Sequence, residues 1–292
     1  QINKAGQYLL KKSNEPDFKW DYFLSAIDVA EQWRACHAYP INTFQATLRR
    51  KLRDFPQKPI VAQRLKRMPT IIDKLIRYPS MQLSTMQDIG GVRAILNSVK
   101  DVNKLTDNYI KNNRMTHELL DQKDYINKPR SDDGYRSRHL IYRYKNNQAP
   151  GYDGLRLELQ IRTKLQHTWA TAVETMGTLL GQALKSRQGD QGWLDFFAIT
   201  SSAFSWIEET PQVPRFEYLT KEKTFEEVMH LEASINALEK MKGISGAVNT
   251  IGRTKATGKS GSYHLIILNS IEKSVQIQAF GKENFKDAVD AY

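Results

Sequence analysis

The chain has 292 residues, 40% hydrophobic and 26% charged, with one cysteine, a profile that excludes fibrous, disordered and disulfide-stapled classes. No apolar run approaches the about 18 residues a membrane helix needs, and no signal-peptide pattern opens the chain, so no membrane partner is expected and the lone Cys36 suits a reducing, cytoplasmic setting. A formal net charge of +11 favours polyanionic partners, meaning nucleic acid or phosphate-rich nucleotides.

Residues 19–36 read as an amphipathic helix that Pro40 breaks, and a second helix is expected over Asn42–Asp54. Between Arg49 and Arg67 lie Arg49, Arg50, Lys51, Arg53, Lys58, Arg64, Lys66 and Arg67 against Asp54 alone, a one-sign cluster that a merely solvated surface seldom shows. From Ile60 to Tyr78 the pattern is helical, with Pro69 forcing a turn or a new start near Thr70 and Pro79 ending the run. Ile71, Ile72, Leu75 and Ile76 are its expected buried face. Gln87–Leu96 suggests a strand entered through Gly90-Gly91, with Asp88 at its mouth.

A crossing helix at about 101–113, a strand near 118–126 and a polar loop over 127–136 follow, then a strand at His139–Lys145 and a hairpin-like connection over 146–154. In 155–162 Leu155, Leu157, Leu159 and Ile161 point one way while Arg156, Glu158, Gln160 and Arg162 point the other, and the chain runs on into a helix bearing His167. Helices are expected over 164–180 and 190–209, and Pro211 and Pro214 mark a boundary. Beyond it Thr224-Phe-Glu-Glu227 reads as a capping box for a helix running to Lys242 and stopped by Gly243. Tyr263–Leu268 and Ser274–Phe280 alternate like a hairpin, and a further helix starts near Glu283. The P-loop-like Gly252–Ser260 is one residue too long and precedes a strand rather than a helix, which makes it a basic loop. The chain starts at Gln1 rather than Met and stops at Tyr292 inside a helix-like run, so either end is open to continuation.

Two carboxylates from neighbouring strands, Asp88 and Glu158, are a usual way to hold Mg²⁺, which keeps several waters and takes its remaining ligands from substrate phosphates. Lys66, Lys74, Lys128, Arg130, Arg136 and His139 are candidates to neutralise those phosphates. Tyr135, flanked by Gly134 and Arg136, is a candidate platform for stacking a base, the alternative being a ring tucked onto the core.

Five blocks, in order, resemble the synthetase domain of the RelA/SpoT family: Arg64-Leu-Lys66 with Thr70-Ile-Ile-Asp-Lys74, Asp88-Ile-Gly-Gly-Val-Arg93, Asp124-Tyr-Ile-Asn-Lys-Pro-Arg130, Gly134-Tyr-Arg-Ser-Arg-His139 and Glu158-Leu-Gln-Ile-Arg-Thr163 with His167. The resemblance covers about residues 40–180. It implies a mixed β-sheet flanked by helices, an α/β (α+β) fold like that of nucleotidyltransferases, and transfer of pyrophosphate from ATP to a ribose 3′-hydroxyl. The commonest acceptors are GDP and GTP, giving (p)ppGpp; toxin relatives make adenosine analogues or modify the 3′ end of tRNA. By resemblance, Arg64 and Arg93 sandwich adenine while Lys66, Thr70, Lys74 and His139 hold the ATP phosphates. Asp88 and Glu158 bind Mg²⁺, with Glu158 also the base; Tyr135 stacks on the acceptor, and Gln160, Arg162 and His167 line its side.

The sequence departs from the family pattern at Arg130, where the family has Lys, and at Arg138, where it has an apolar residue. Arg138 adds charge near the expected acceptor pocket and so points toward a bulkier anionic acceptor such as tRNA. The hydrolase domain of long members is absent from this sequence, and its C-terminal part does not resemble their regulatory domains. The expectation is a synthetase domain with N-terminal helices at 1–210 and a small α+β module at 215–292. That module is open to autoinhibition, homo-oligomerisation or a regulatory protein partner, or is a structural cap burying Phe225, Val228, Ile235 and Leu238. From another class, a catalytically silent RNA- or nucleotide-binding regulator also fits the positive charge.

Overall fold

The computed structural model describes residues 1–12, 14–111, 116–182, 184 and 189–242, together with the backbone of two strands at 263–269 and 274–280. The chain divides into two compact units, Gln1–Val228 and Met229–Tyr292.

In the first unit α1 (Ile2–Tyr8), α2 (Trp20–Ala35) and α3 (Ala38–Lys51) precede the sheet. Pro40 falls in the first turn of α3 rather than between helices, where its missing N–H has no helical partner to lose. Next come β1 (Ile60–Leu65), α4 (Met68–Arg77), β2 (Gly90–Leu96), α5 (Val99–Ile110), β3 (Glu118–Asp124), β4 (Arg138–Arg143), β5 (Arg156–Thr163), α6 (Lys164–Leu179) and α7 (Gln191–Glu208). The strands form one mixed sheet in the order β1-β2-β5-β4-β3, with β2 and β5 parallel and the other neighbours antiparallel.

One sheet face is dry. Val92, Ala94 and Leu96 of β2, Leu140 and Tyr142 of β4 and Leu157, Leu159 and Ile161 of β5 pack against Phe44 and Leu48 of α3 and Val102, Leu105 and Tyr109 of α5. A second core joins α1, α2 and α4 through Ala5, Ala26, Ala30, Ile71 and Leu75, with Ile89 beside them. The other face of β2, β5 and β4 carries Arg93, His139, Glu158, Gln160 and Arg162, with Ile95 and Ile141 buried on the same face.

Two expectations about this region fail. Ile60–Leu65 is a strand, not the start of a helix: its Ile-Val pair favours extended backbone, and as a sheet edge it carries no clean in–out alternation. Ile76 is 58% exposed, because the buried stripe of α4 is only Ile71 and Leu75 wide.

At the other end of the unit, α8 (Lys221–Ile235) begins earlier than expected. Thr220, not Thr224, accepts the first-turn amide, from Lys223 N at 3.3 Å. Thr224 lies inside the helix, fully buried, where Trp206 Nε1 donates to its hydroxyl at 3.2 Å. That contact keeps the first turns of α8 with the first unit, past the Pro214 boundary. Phe225 and Leu238 are exposed rather than buried, at 37% and 48%.

In the second unit β6 (Tyr263–Asn269) and β7 (Ser274–Phe280) form the expected antiparallel pair. Gly243, the 252–260 loop and the helix expected near Glu283 lie outside the described residues. No helix among the described residues is long and apolar enough to cross a membrane.

Candidate active site

Strand alternation and register assemble the site. Arg64 pairs with Gly91 across β1–β2, Gly91 with Glu158 and Arg93 with Gln160 across β2–β5, and Gln160 with His139 across β5–β4. All of these therefore share the polar face. Gly91 permits the close approach of β2 and β5: a Cβ there would sit 2.9 Å from the Glu158 carbonyl oxygen. A cleft on this face is lined by Gln63, Arg64, Asp88, Arg93, Glu158 and Gln160. The two carboxylates, 70 positions apart in sequence, thus meet over one opening.

Each carboxylate is held by cations. Lys66 Nζ donates to Asp88 Oδ2 at 2.9 Å and Lys74 Nζ to Oδ1 at 2.8 Å. Lys66 is itself pinned at the end of β1, its N–H donating to the Ile89 carbonyl at 2.8 Å while its own carbonyl accepts Arg34 Nε at 2.7 Å. Burial alone would raise the Asp88 pKa, but the two ammonium groups outweigh it and bring it down to about 2. Glu158 Oε1 accepts from His139 Nδ1 at 2.8 Å and Oε2 from Gln160 Nε2 at 2.8 Å. Burial works against its charge too, yet the His139 ring holds it below the ordinary carboxylate range. The same partnership, with the Tyr135 hydroxyl on His139 Nε2 at 2.8 Å, overcomes burial at the imidazole and pushes its pKa up to about 9.

A second tier continues from Gln160, whose Oε1 accepts Arg93 Nε at 3.0 Å and an Arg162 NH2 at 3.2 Å. Arg162 is 2% exposed, and its Nε and Nη1 have no partner within the protein. The His167 Nδ1 is likewise buried and unpartnered, and burial followed by the nearby Arg162 and Arg93 charges lowers its pKa. Such donors are placed to receive an anion or a polar base edge.

Tyr135 is half-buried among Tyr125, His139 and Trp169, with the Arg130 guanidinium 4.9 Å from its ring centroid. It lies beside Glu158, one residue of contact away through His139, and is neither freely exposed nor lost in the core. Arg130 is bound to Asp133, its Nε to Oδ1 at 3.0 Å, and so shapes the loop as well as covering the ring. Tyr125 and Trp169 are site neighbours the sequence reading missed; Tyr125 sits inside one of the family-like blocks, and Trp169 follows His167 by two residues.

Four expected placements are corrected. Lys128 borders a different cavity, with Thr106, Asp124 and Arg138 at the α5 side of the sheet, and does not line the carboxylate cleft. Arg138 alternates away from His139, pairing with Asp124 at 2.5 Å and with Asn103 at 3.2 Å, so it adds no charge to an acceptor pocket and the hint of a tRNA acceptor drawn from it lapses. Arg136 is 2% exposed and paired with Glu208 at 3.2 Å, away from the cleft. The Thr70 hydroxyl turns back to the Arg67 carbonyl at 2.8 Å in the first turn of α4. The basic cluster, too, divides: Arg64 reaches the cleft and Lys66 holds Asp88 at its mouth, whereas Arg49, Arg53 and Lys58 line a separate groove beside Phe55.

The donor set fits a hard divalent cation, for two carboxylates that stay ionised in neutral solution face one cleft. Among the described residues no cluster of three or more protein metal ligands forms, so phosphate and water oxygens would complete the shell.

A mixed sheet with helices on its dry face and paired acids among cations on the other defines an α+β domain with a charged cleft. Its fold is that of the small alarmone synthetase 1 from Bacillus subtilis, solved bound to its product pppGpp, at a TM-score of 0.52 and 23% identity over 61% of this chain and 92% of that one. Residues 63–176 match the family model described as the region found in RelA / SpoT proteins. The chain is also 34% identical over 113 residues to GTP pyrophosphokinase YjbM and 32% identical over 114 residues to GTP pyrophosphokinase YwaC, both of Bacillus subtilis (strain 168). These alignments span 38% and 37% of this chain and 52% of each relative, so the chain matches about half the length of the curated relatives. Residues 63–176 thus carry the region found in RelA / SpoT proteins.

Proposed function

We propose that this protein is a Mg²⁺-dependent nucleotide pyrophosphokinase that transfers pyrophosphate from ATP to the ribose 3′-hydroxyl of GDP or GTP, giving a (p)ppGpp-type product. The observation that carries this reading is the convergence of Asp88 and Glu158 on one cleft whose wall also holds Arg64, Arg93 and Gln160. The likeness to two GTP pyrophosphokinases supports it.

In the reaction the 3′-oxygen attacks the β-phosphorus of ATP, the bond from that phosphorus to the α,β-bridging oxygen breaks, and AMP leaves. Asp88 and Glu158 would hold Mg²⁺, which neutralises phosphate charge and polarises the transferring group. Glu158 takes the hydroxyl proton; its His139 and Gln160 hydrogen bonds aim the carboxylate and keep it ionised. Lys66 and Lys74, bound to Asp88 without substrate, stand within reach of phosphate oxygens that enter beside it. Arg64 and Arg93 offer planar cations to the adenine faces, and Tyr135 a ring to the acceptor base. Arg162 and His167 bring unpartnered nitrogens to the acceptor side.

The test is incubation of purified protein with β-labelled ATP, Mg²⁺ and, separately, GDP, GTP, ADP and deacylated tRNA. Label on a guanine nucleotide is the expected result. Transfer to ADP or tRNA would reassign the acceptor, and transfer to none would overturn the enzyme reading.

A further inference from the structure

We propose that Glu208, at the end of α7 and beyond the matched 63–176 region, is a positioning residue: its buried carboxylate ties the turn carrying Tyr135 to the β5–α6 junction and so sets the acceptor side of the cleft. Two hydrogen-bond donors and one buried cation converge on it, and the cation, Arg136, also donates to the Thr210 hydroxyl. Gln166 Nε2 donates to Oε2 at 2.9 Å, the Thr163 hydroxyl donates to Oε1, and Arg136 Nη1 lies 3.2 Å from Oε2. Thr163 and Gln166 form the capping box that starts α6 directly after Arg162 and just before His167. Arg136 follows Tyr135, is 2% exposed, and has Glu208 as its counter-charge.

The same helix grips the turn a second time. Ser201 Oγ donates to the Gly134 carbonyl at 2.5 Å, and Gly134 takes φ +72° so closely against α7 that a Cβ would meet Ser201 at 2.8 Å. Trp169 Nε1 donates to the Phe197 carbonyl at 2.7 Å while its ring lies against Tyr135. The two halves of the proposed acceptor side, Tyr135 on its loop and Arg162 with His167 across the β5–α6 junction, therefore share one support. What that support is for rests on the pyrophosphokinase reading; the tether itself rests on geometry alone.

An isosteric E208Q must turn an amide NH₂ toward the Thr163 hydroxyl or toward Gln166 and Arg136, and leaves the Arg136 charge buried without a counter-charge. In the full chain E208Q is expected to weaken GDP binding at least about tenfold, with affinity for a non-hydrolysable ATP analogue within about twofold, and to speed amide exchange over 127–137. Because lost stability could mimic this, R136M/E208L replaces the pair with apolar side chains of similar size. Its melting temperature is expected to recover while GDP binding does not. Recovery of both would show a purely stabilising pair and overturn the proposal, as would E208Q with unaltered exchange and GDP affinity. Wild-type protein that binds no guanine nucleotide, alongside faster exchange over 127–137 in E208Q, would uphold the tether and sink the acceptor reading.

Discussion

Replacing Asp88 by Asn separates two opposite views of the cleft. If the two acids mainly repel each other without metal, removing one charge should stabilise the protein. The geometry says otherwise, because Asp88 is clamped by two ammonium groups at 2.8 and 2.9 Å and its side chain is only 23% exposed. Its pKa falls from 3.8 to about 2, which at about 1.4 kcal/mol per pKa unit corresponds to about 2.5 kcal/mol of stabilisation in the ionised state. Since the folded value lies below the unfolded one, this contribution is complete above about pH 4 and fades as the pH drops toward 2. Asn also strands Lys66, whose side chain is 8% exposed, and breaking a buried pair from one side costs roughly 3–5 kcal/mol, so the expected loss at pH 7 lies between about 2.5 and 5 kcal/mol. Urea unfolding with a chelator present, at pH 7 and in steps down to pH 3, measures it: D88N should be less stable at pH 7, and the gap should narrow toward acid. A variant as stable as wild type at pH 7, or more so, would refute the clamp and show that repulsion from Glu158 governs the site.

Other expectations are simpler to state. Glu158→Gln should abolish turnover, by at least about 100-fold, while leaving ATP binding largely intact; retained activity would mean that another group takes the proton. Gly91→Ala places a Cβ 2.9 Å from the Glu158 carbonyl, so β2 and β5 must part locally. The expected cost is about 1–3 kcal/mol in unfolding experiments, with kcat falling more than the melting curve alone explains. Arg138→Leu should leave acceptor preference unchanged in a competition assay between GDP and GTP, because Arg138 faces Asp124 and Asn103 rather than the cleft.

How far the site could be read in advance depended on the range of the interaction. The face shared by Glu158, Gln160 and Arg162 was legible because a strand with one dry face has a period of two, and β5 keeps it from Arg156 to Ile161. The same rule, applied to β4, separates Arg138 from His139, so the misplacement of Arg138 was avoidable. Edge strand β1 was harder, since exposure along it follows no period that distinguishes it from a helix.

By itself, then, the sequence determined most of the elements, the polar face of β5 and the two acids as candidates, all of them set by local periodicity and by residue chemistry. Only the tertiary structure decided who neutralises whom. Lys66 and Lys74 go to Asp88, His139 goes to Glu158, and Arg136 leaves the cleft for Glu208 across 72 positions of chain. A buried charge must find a counter-charge wherever packing brings one, and packing partners so distant along the chain leave no mark on local pattern.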